Sequence, residues 1–142
     1  MVKEASVKEA AQVNRTIPEF RSHSEEYFET RIRKREYLII VASLDDMPAG
    51  YLIGYDRYDD GSFYCWMAGV NPAFRRKGTF TALMDYQEKW AKTRGYEKIK
   101  IKTRNSLREM LSYLVKHGFF FTEVVQYHNR EDSRILLEKD IS

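Results

Sequence analysis

At 142 residues the chain fits one domain large enough to bury a core without disulfide or metal staples. Hydrophobic content of 43%, aromatic content of 14% and 32% charged residues are values of a soluble globular protein. A net charge of +3 is too small to argue for nucleic acid, and the single cysteine, Cys65, excludes an internal disulfide or a multi-cysteine metal site. His23, His117 and His128 are scattered without a His-x-x-x-His pair, so no metal is expected. No apolar run resembles a signal peptide or a membrane span, and the expectation is a cytoplasmic protein without nucleic-acid or membrane partners.

No repeat, low-complexity tract or linker is visible, and residues 1–142 read as one domain. Val7 to Asn14 reads as a short helix, broken at Ile17-Pro18-Glu19-Phe20. Ser24 to Arg35 reads as a second helix with Ser24 as its cap, the basic residues from Arg31 to Arg35 forming a solvated face. Tyr37 to Ser43 is a β-branched apolar run and therefore a strand. Asp45-Asp46-Met47-Pro48 turns the chain into a second strand, Ala49 to Tyr55, and Asp59-Asp60-Gly61 signals a hairpin into a third, Ser62 to Val70. Cys65 lies within this third strand, where a small buried hydrophobe is the default.

Next comes Val70-Asn71-Pro72-Ala73-Phe74-Arg75-Arg76-Lys77-Gly78-Thr79-Phe80-Thr81-Ala82-Leu83, a strand end, a basic loop closed by one glycine, and a helix start. Free helix N–H groups, the positive end of the helix dipole and three cationic side chains converge there, which suits a pyrophosphate. Gly78 keeps the backbone open to a phosphate and tolerates positive φ, and Thr79 caps or begins the helix. Arginine can hold two phosphate oxygens at once. Taken alone, the stretch also fits a solvated surface turn before an amphipathic helix, because three spaced glycines or a Gly-Lys-Ser/Thr are missing.

Phe80, Leu83, Met84, Gln87, Trp90 and Ala91 share one face of that helix, which runs to Arg94 and is ended by Gly95. Lys98 to Thr103 forms a strand whose lysines mark a wet face, and Ser106 to His117 a helix with an apolar stripe from Leu107 to Val115. Gly118 stops it, and Phe119 to Tyr127 and Arg134 to Lys139 finish as two strands around a polar turn. An antiparallel meander followed by strand–helix–strand–helix–strand predicts an α/β sheet of mixed direction, parallel only across the 79–94 crossover.

Arg75-x-x-Gly78-x-Phe80 resembles the Arg/Gln-x-x-Gly-x-Gly/Ala signature of the GNAT superfamily of acyl-CoA N-acyltransferases, and Val70-x-Pro72 and Leu83 around it fit the same pattern. Asn105, the following helix and Gly118-Phe119 resemble that family's second cofactor motif, so the likeness covers roughly residues 62 to 127. It implies an α+β fold with a mixed, mainly antiparallel twisted sheet of six to seven strands and helices on both faces. It further implies acetyl-CoA lying between splayed strands 62–70 and 98–103, with Met67, Ala68, Gly69 and Val70 against the pantetheine arm. Arg75, Arg76, Lys77, Gly78, Thr79, Phe80 and Thr81 would hold the pyrophosphate and Asn105 the carrier's amide linkages, unless Asn105 only caps its helix.

The implied reaction is direct attack of a primary amine on the thioester, with an N–H of 67–70 serving the oxyanion. Two departures stand out. Phe80 replaces a small residue, so the loop stays open only if its ring turns into the core. The family's tyrosine positions hold Ser112 and Leu114, with Tyr113 between them as the candidate acid. Glu19 is the candidate base, with Glu26 and Glu29 behind it, and the Tyr and Phe residues of 51–66 offer either sheet core or an aromatic acceptor pocket. The alternatives are a catalytically inactive acyl-CoA-binding or regulatory module, motivated by Phe80 and the displaced tyrosine, and a nucleic-acid binder using Lys98 to Lys102. The acceptor is a small molecule or peptide amine, and sheet edges could pair two subunits into a homodimer.

Overall fold

Alternating and β-branched runs build one seven-stranded sheet in the computed structural model, which describes residues 1–142. Its strands are β1 (Val2–Glu4), β2 (Tyr37–Leu44), β3 (Met47–Tyr55), β4 (Ser62–Val70), β5 (Lys98–Arg104), β6 (Phe120–Val125) and β7 (Arg134–Asp140). They lie in the order β1-β2-β3-β4-β5-β7-β6, and only β4 and β5 are parallel. The helices are α1 (Val7–Asn14), α2 (Glu25–Ile32), α3 (Thr79–Thr93) and α4 (Arg108–Lys116). This is the mixed, mainly antiparallel fold with helices on both faces that the motifs predict.

Each face of the sheet carries its own core. Leu38, Ile40, Leu52, Phe63, Ile99 and Leu137 pack with Leu83 of α3 and Leu114 of α4 on one side. On the other, Ile39, Val41, Tyr51 and Ile53 pack with Ala10 and Ala11 of α1 and Phe28 of α2. Burying about one Leu or Ile contributes roughly 1.5–3 kcal/mol, so both cores are needed to offset chain entropy.

Several boundaries differ from expectation. β1 is three residues long, too short for a period-two signal, and is held by its register on β2 from Val2↔Ala42 to Glu4↔Ile40. α1 opens on a capping box, in which Ser6 accepts from Glu9 N–H and the Glu9 carboxylate accepts from Ser6 N–H. Ser24 caps α2 as expected, but that helix stops at Ile32, so Arg33 to Arg35 lie beyond it rather than on its face. β3 begins at Met47, because Asp45 and Asp46 adopt positive φ of 50° and 62° and make a two-residue hairpin. Every residue of β6 is exposed, including Phe120 and Phe121, as fits the outer strand of the sheet. No helix is long and apolar enough to cross a membrane.

Candidate functional site

β4 and β5 part company at one point. Their parallel register runs from Ser62↔Lys98 to Cys65↔Ile101 and stops. At that place the β3–β4 register also shifts, with Gly54 opposite Cys65 and Ile53 opposite Met67, so Trp66 is the extra residue of a β-bulge. A bulge bends its strand and raises the local twist, which swings the second half of β4 away from β5. The backbone of β4 from Met67 to Val70 therefore has no β5 partner on that side, and buried peptide groups in such a place want a ligand.

A groove of about 540 Å³ opens beside this gap. Ala68, Gly69 and Val70 line it with Arg75, Arg76 and Gly78 to Thr81, and α4 closes the far side through Arg108, Glu109, Met110 and Tyr113. Ile17, Glu19 and Phe20, from the segment between α1 and α2, line its remaining wall. Gly69 matters to that wall: a Cβ there would lie 2.6 Å from the Phe20 ring and 2.8 Å from Ile17 Cδ1.

Gly78 is the residue before α3 and sits at φ 80°, ψ 5°, with no side chain to cap the helix. The first α3 bond is from Ala82 N–H to Gly78 C=O at 3.0 Å, so the N–H groups of Thr79, Phe80 and Thr81 have no intrahelical acceptor. A Cβ on Gly78 would meet nothing within 4 Å, so the space in front of these donors is open. Thr79 begins the helix rather than capping it, and its buried Oγ1 has no partner. Arg76, at φ 64°, and Lys77 are exposed and make no ion pair, leaving their charge free. Donors, dipole and charge together make an anion cradle.

Arg75 is committed elsewhere. Its Nη1 and Nη2 donate to Glu19 at 2.6 and 2.9 Å, and its Nε donates to the Val70 carbonyl at 3.0 Å. The hydrogen bond from Arg75 lowers the Glu19 pKa from the ordinary carboxylate value. A carboxylate so held is a poor acceptor for an ammonium proton, and the pair serves to tie the α1–α2 segment to the end of β4.

Phe80 turns neither fully into the core nor into the cradle. It is half-buried, lies against the core's edge and meets Tyr113 edge-to-face, with centroids 5.0 Å apart at 82°. Tyr113 stacks on His117 at 3.9 Å, and its hydroxyl donates to Thr81 Oγ1 at 3.2 Å across the groove. Burial raises its pKa. Contacts with Phe80 and His117 give Tyr113 a fixed place in the groove.

Asn105, Met67 and Lys77 do not line the groove. Asn105 does not open α4, whose preceding residue is Leu107. Its N–H goes to Ser133 C=O, its Nδ2 donates to Arg130 C=O, and its Oδ1 accepts from Arg108, so it fastens β5 to the turn before β7. The segment around Glu19 borders the groove as the resemblance implies, through Ile17 and Phe20 as well, whereas Arg108 and Glu109 carry no motif and reach it only because the tertiary fold brings α4 opposite β4. No group of three or more His, Cys, Asp or Glu side chains converges as a metal site would need.

A sheet opened by a bulge beside a basic, glycine-preceded helix start is the arrangement that the sequence resemblance implies. The acetyltransferase (GNAT) family matches residues 5–119, and the chain belongs to that family. Among solved structures, the ribosomal-protein-S18-alanine N-acetyltransferase from Escherichia coli is similar over all of this chain and 94% of its own, with a TM-score of 0.82 and 15% identity. Ard1 from Thermoplasma volcanium is similar over all of this chain and 97% of its own, with a TM-score of 0.83 and 18% identity. An aminoglycoside 6'-N-acetyltransferase complexed with coenzyme A is similar over all of this chain and 97% of its own, with a TM-score of 0.81 and 18% identity. No curated protein matches the sequence.

Proposed function

We propose that the protein transfers an acetyl group from acetyl-CoA to a primary amine. One observation carries this: the groove runs from an unpaired stretch of β4 to a helix start whose first three N–H groups lack acceptors. The residues fit the donor. Thr79 to Thr81 N–H groups, the unpartnered Thr79 hydroxyl, Arg76 and Lys77 would hold a pyrophosphate, and Ala68 to Val70 would pair with the amides of its arm. Structurally similar acetyltransferases, one complexed with coenzyme A and another with acetyl coenzyme A, support the same donor.

When bound, acetyl-CoA supplies a thioester acyl group. Tyr113 holds its hydroxyl proton at neutral pH as any phenol does, burial raising its pKa further, and it is the one phenol of the groove placed to give a proton to a departing thiolate. Glu19, paired with Arg75, positions the wall of the groove, and the amine's own proton passes to water. The test is a calorimetric titration with acetyl-CoA of the native protein and of Gly78→Glu, followed by a thiol-release assay over primary amines. Saturable binding lost in the variant, with amine-dependent CoA release, is expected. Absence of binding in the native protein would overturn the proposal.

A further inference from the structure

Just past the point where β4 and β5 separate, the first free residue of each strand is Trp66 and Lys102. Both lie on the sheet face that α1 and α2 cover, opposite Ile99, Ile101 and α3. Lys102 is half-buried there, opposite Leu136 and so two residues along β7 from Arg134, and within electrostatic reach of Arg57, Arg134 and Arg31. Arg31 of α2 lies 5.0 Å over the Trp66 ring, Arg57 of the β3–β4 hairpin 4.9 Å over Tyr64, and Arg134 of β7 4.7 Å over Tyr127. Aromatic rings hold such cations in place without neutralising them.

None of the four takes part in an ion pair. The other lysines on the strand of Lys102 do: Lys98 meets Glu138 at 2.7 Å and Lys100 meets Asp60 at 2.8 Å. The fold thus pairs the lysines beside the patch with acids and leaves these four cations without an ion pair, the one carboxylate that acts appreciably on Lys102 being Glu123 of β6. Like charges gathered over apolar rings repel one another, and an anion relieves that cost. Burial first, then Arg57, Arg134 and Arg31, lower the Lys102 pKa in keeping with this crowding.

We propose that the acceptor amine carries its own negative charge, a carboxylate or a phosphate, held by Arg31, Arg57, Lys102 and Arg134 at the gap between β4 and β5. The identity of the ligand as an acceptor rests on the acetyl-transfer reading; the anion site itself does not. A polycationic amine is repelled by the same four groups. The cations also disfavour the ammonium form of a bound amine, so the nucleophile reaches its neutral state without a side-chain base.

The experiment titrates the protein by its tryptophan fluorescence, with CoA present and absent, using two matched pairs and one polycation. The pairs are L-phenylalanine against phenethylamine and O-phosphoethanolamine against ethanolamine; the polycation is spermidine. The anionic member of at least one pair binds roughly tenfold more tightly, as expected for opposite charges at a partly desolvated site. That margin shrinks in Arg57→Gln and Lys102→Gln, whose acetyl-CoA affinity stays native, and the pair that shows it names the anion. Equal binding within both pairs, no binding at all, or tightest binding by spermidine overturns the proposal. Should acetyl-CoA fail to bind while the anion preference persists, the acetyltransferase reading falls and the anion site stands.

Discussion

Arg75 grips both carboxylate oxygens of Glu19 while donating from Nε to the Val70 carbonyl, so one side chain joins the α1–α2 segment to the end of β4. Glu19 ionises below its ordinary value in the fold because of this bond. In the unfolded chain it titrates at about 4.3, so the pair's contribution is fully present above that pH and is lost as pH falls through the lower folded value. Urea denaturation of the native protein and Glu19→Gln checks this. Their stability difference, modest because both partners are partly exposed, should be larger at pH 7 than at pH 3. A difference that does not change with pH would remove the ion pair from the account.

Gly78→Ala isolates the backbone conformation of the cradle. The new Cβ touches nothing, so the cost is the left-handed φ of 80° alone, about 1–2 kcal/mol. A lower Tm and weaker acetyl-CoA binding are expected together. If stability drops and affinity does not, the loop relaxes to another conformation that still binds.

The Gln87 carboxamide is fully buried in the α3 core, where the buried Cys65 thiol, a weak hydrogen-bonding group, is its polar neighbour and neither Nε2 nor Oε1 has a strong partner. Replacement by methionine keeps the length and removes the unpaired groups. Gln87→Met should raise stability by roughly 1–2 kcal/mol, read by thermal or urea unfolding. Destabilisation instead would show that the amide is satisfied, for example by a buried water.

Much of the fold was legible because its elements are periodic. Val7–Asn14 and Ser62–Val70 have the boundaries that their patterns predict. The order of the last two strands was not legible, since a hairpin pattern cannot say which arm meets β5. Burial decides it: Ile135 and Leu137 of β7 enter the core, whereas β6 buries nothing. The glycine loop could be read from its local chemistry. Asn105 could not be placed, because its partners Arg130 and Ser133 belong to a turn some 25 residues on. The patch of Arg31, Arg57, Lys102 and Arg134 draws on four segments and has no motif at all.

Gly69→Ala probes the wall that faces β4. A methyl group there must displace the Phe20 ring and Ile17 Cδ1, which approach to 2.6 and 2.8 Å. Both are side-chain ends, so they can move, at a cost of the order of 1–3 kcal/mol for overpacking. The displaced wall should raise the KM for the amine more than that for acetyl-CoA in steady-state assays. Equal effects on both would mean that Phe20 and Ile17 border the donor and not the acceptor.

Tyr113 has two separable duties, and paired variants tell them apart. Its ring locks the groove through Phe80 and His117, and its hydroxyl spans to Thr81. Tyr113→Phe keeps the ring and removes the proton, at a stability cost of about 1 kcal/mol for the lost hydrogen bond. Thr81→Ala removes the same bond and leaves the phenol free to donate. If the hydroxyl supplies a proton to the departing thiolate, Tyr113→Phe lowers kcat about 100-fold, the lower end of what a positioned acid contributes. Thr81→Ala then costs far less. The native rate should also fall at alkaline pH, because the phenol must remain protonated, and its raised pKa places that limb above the ordinary tyrosine range. Equal, small losses in the two variants would reduce Tyr113 to a positioning residue, with the thiolate leaving unassisted.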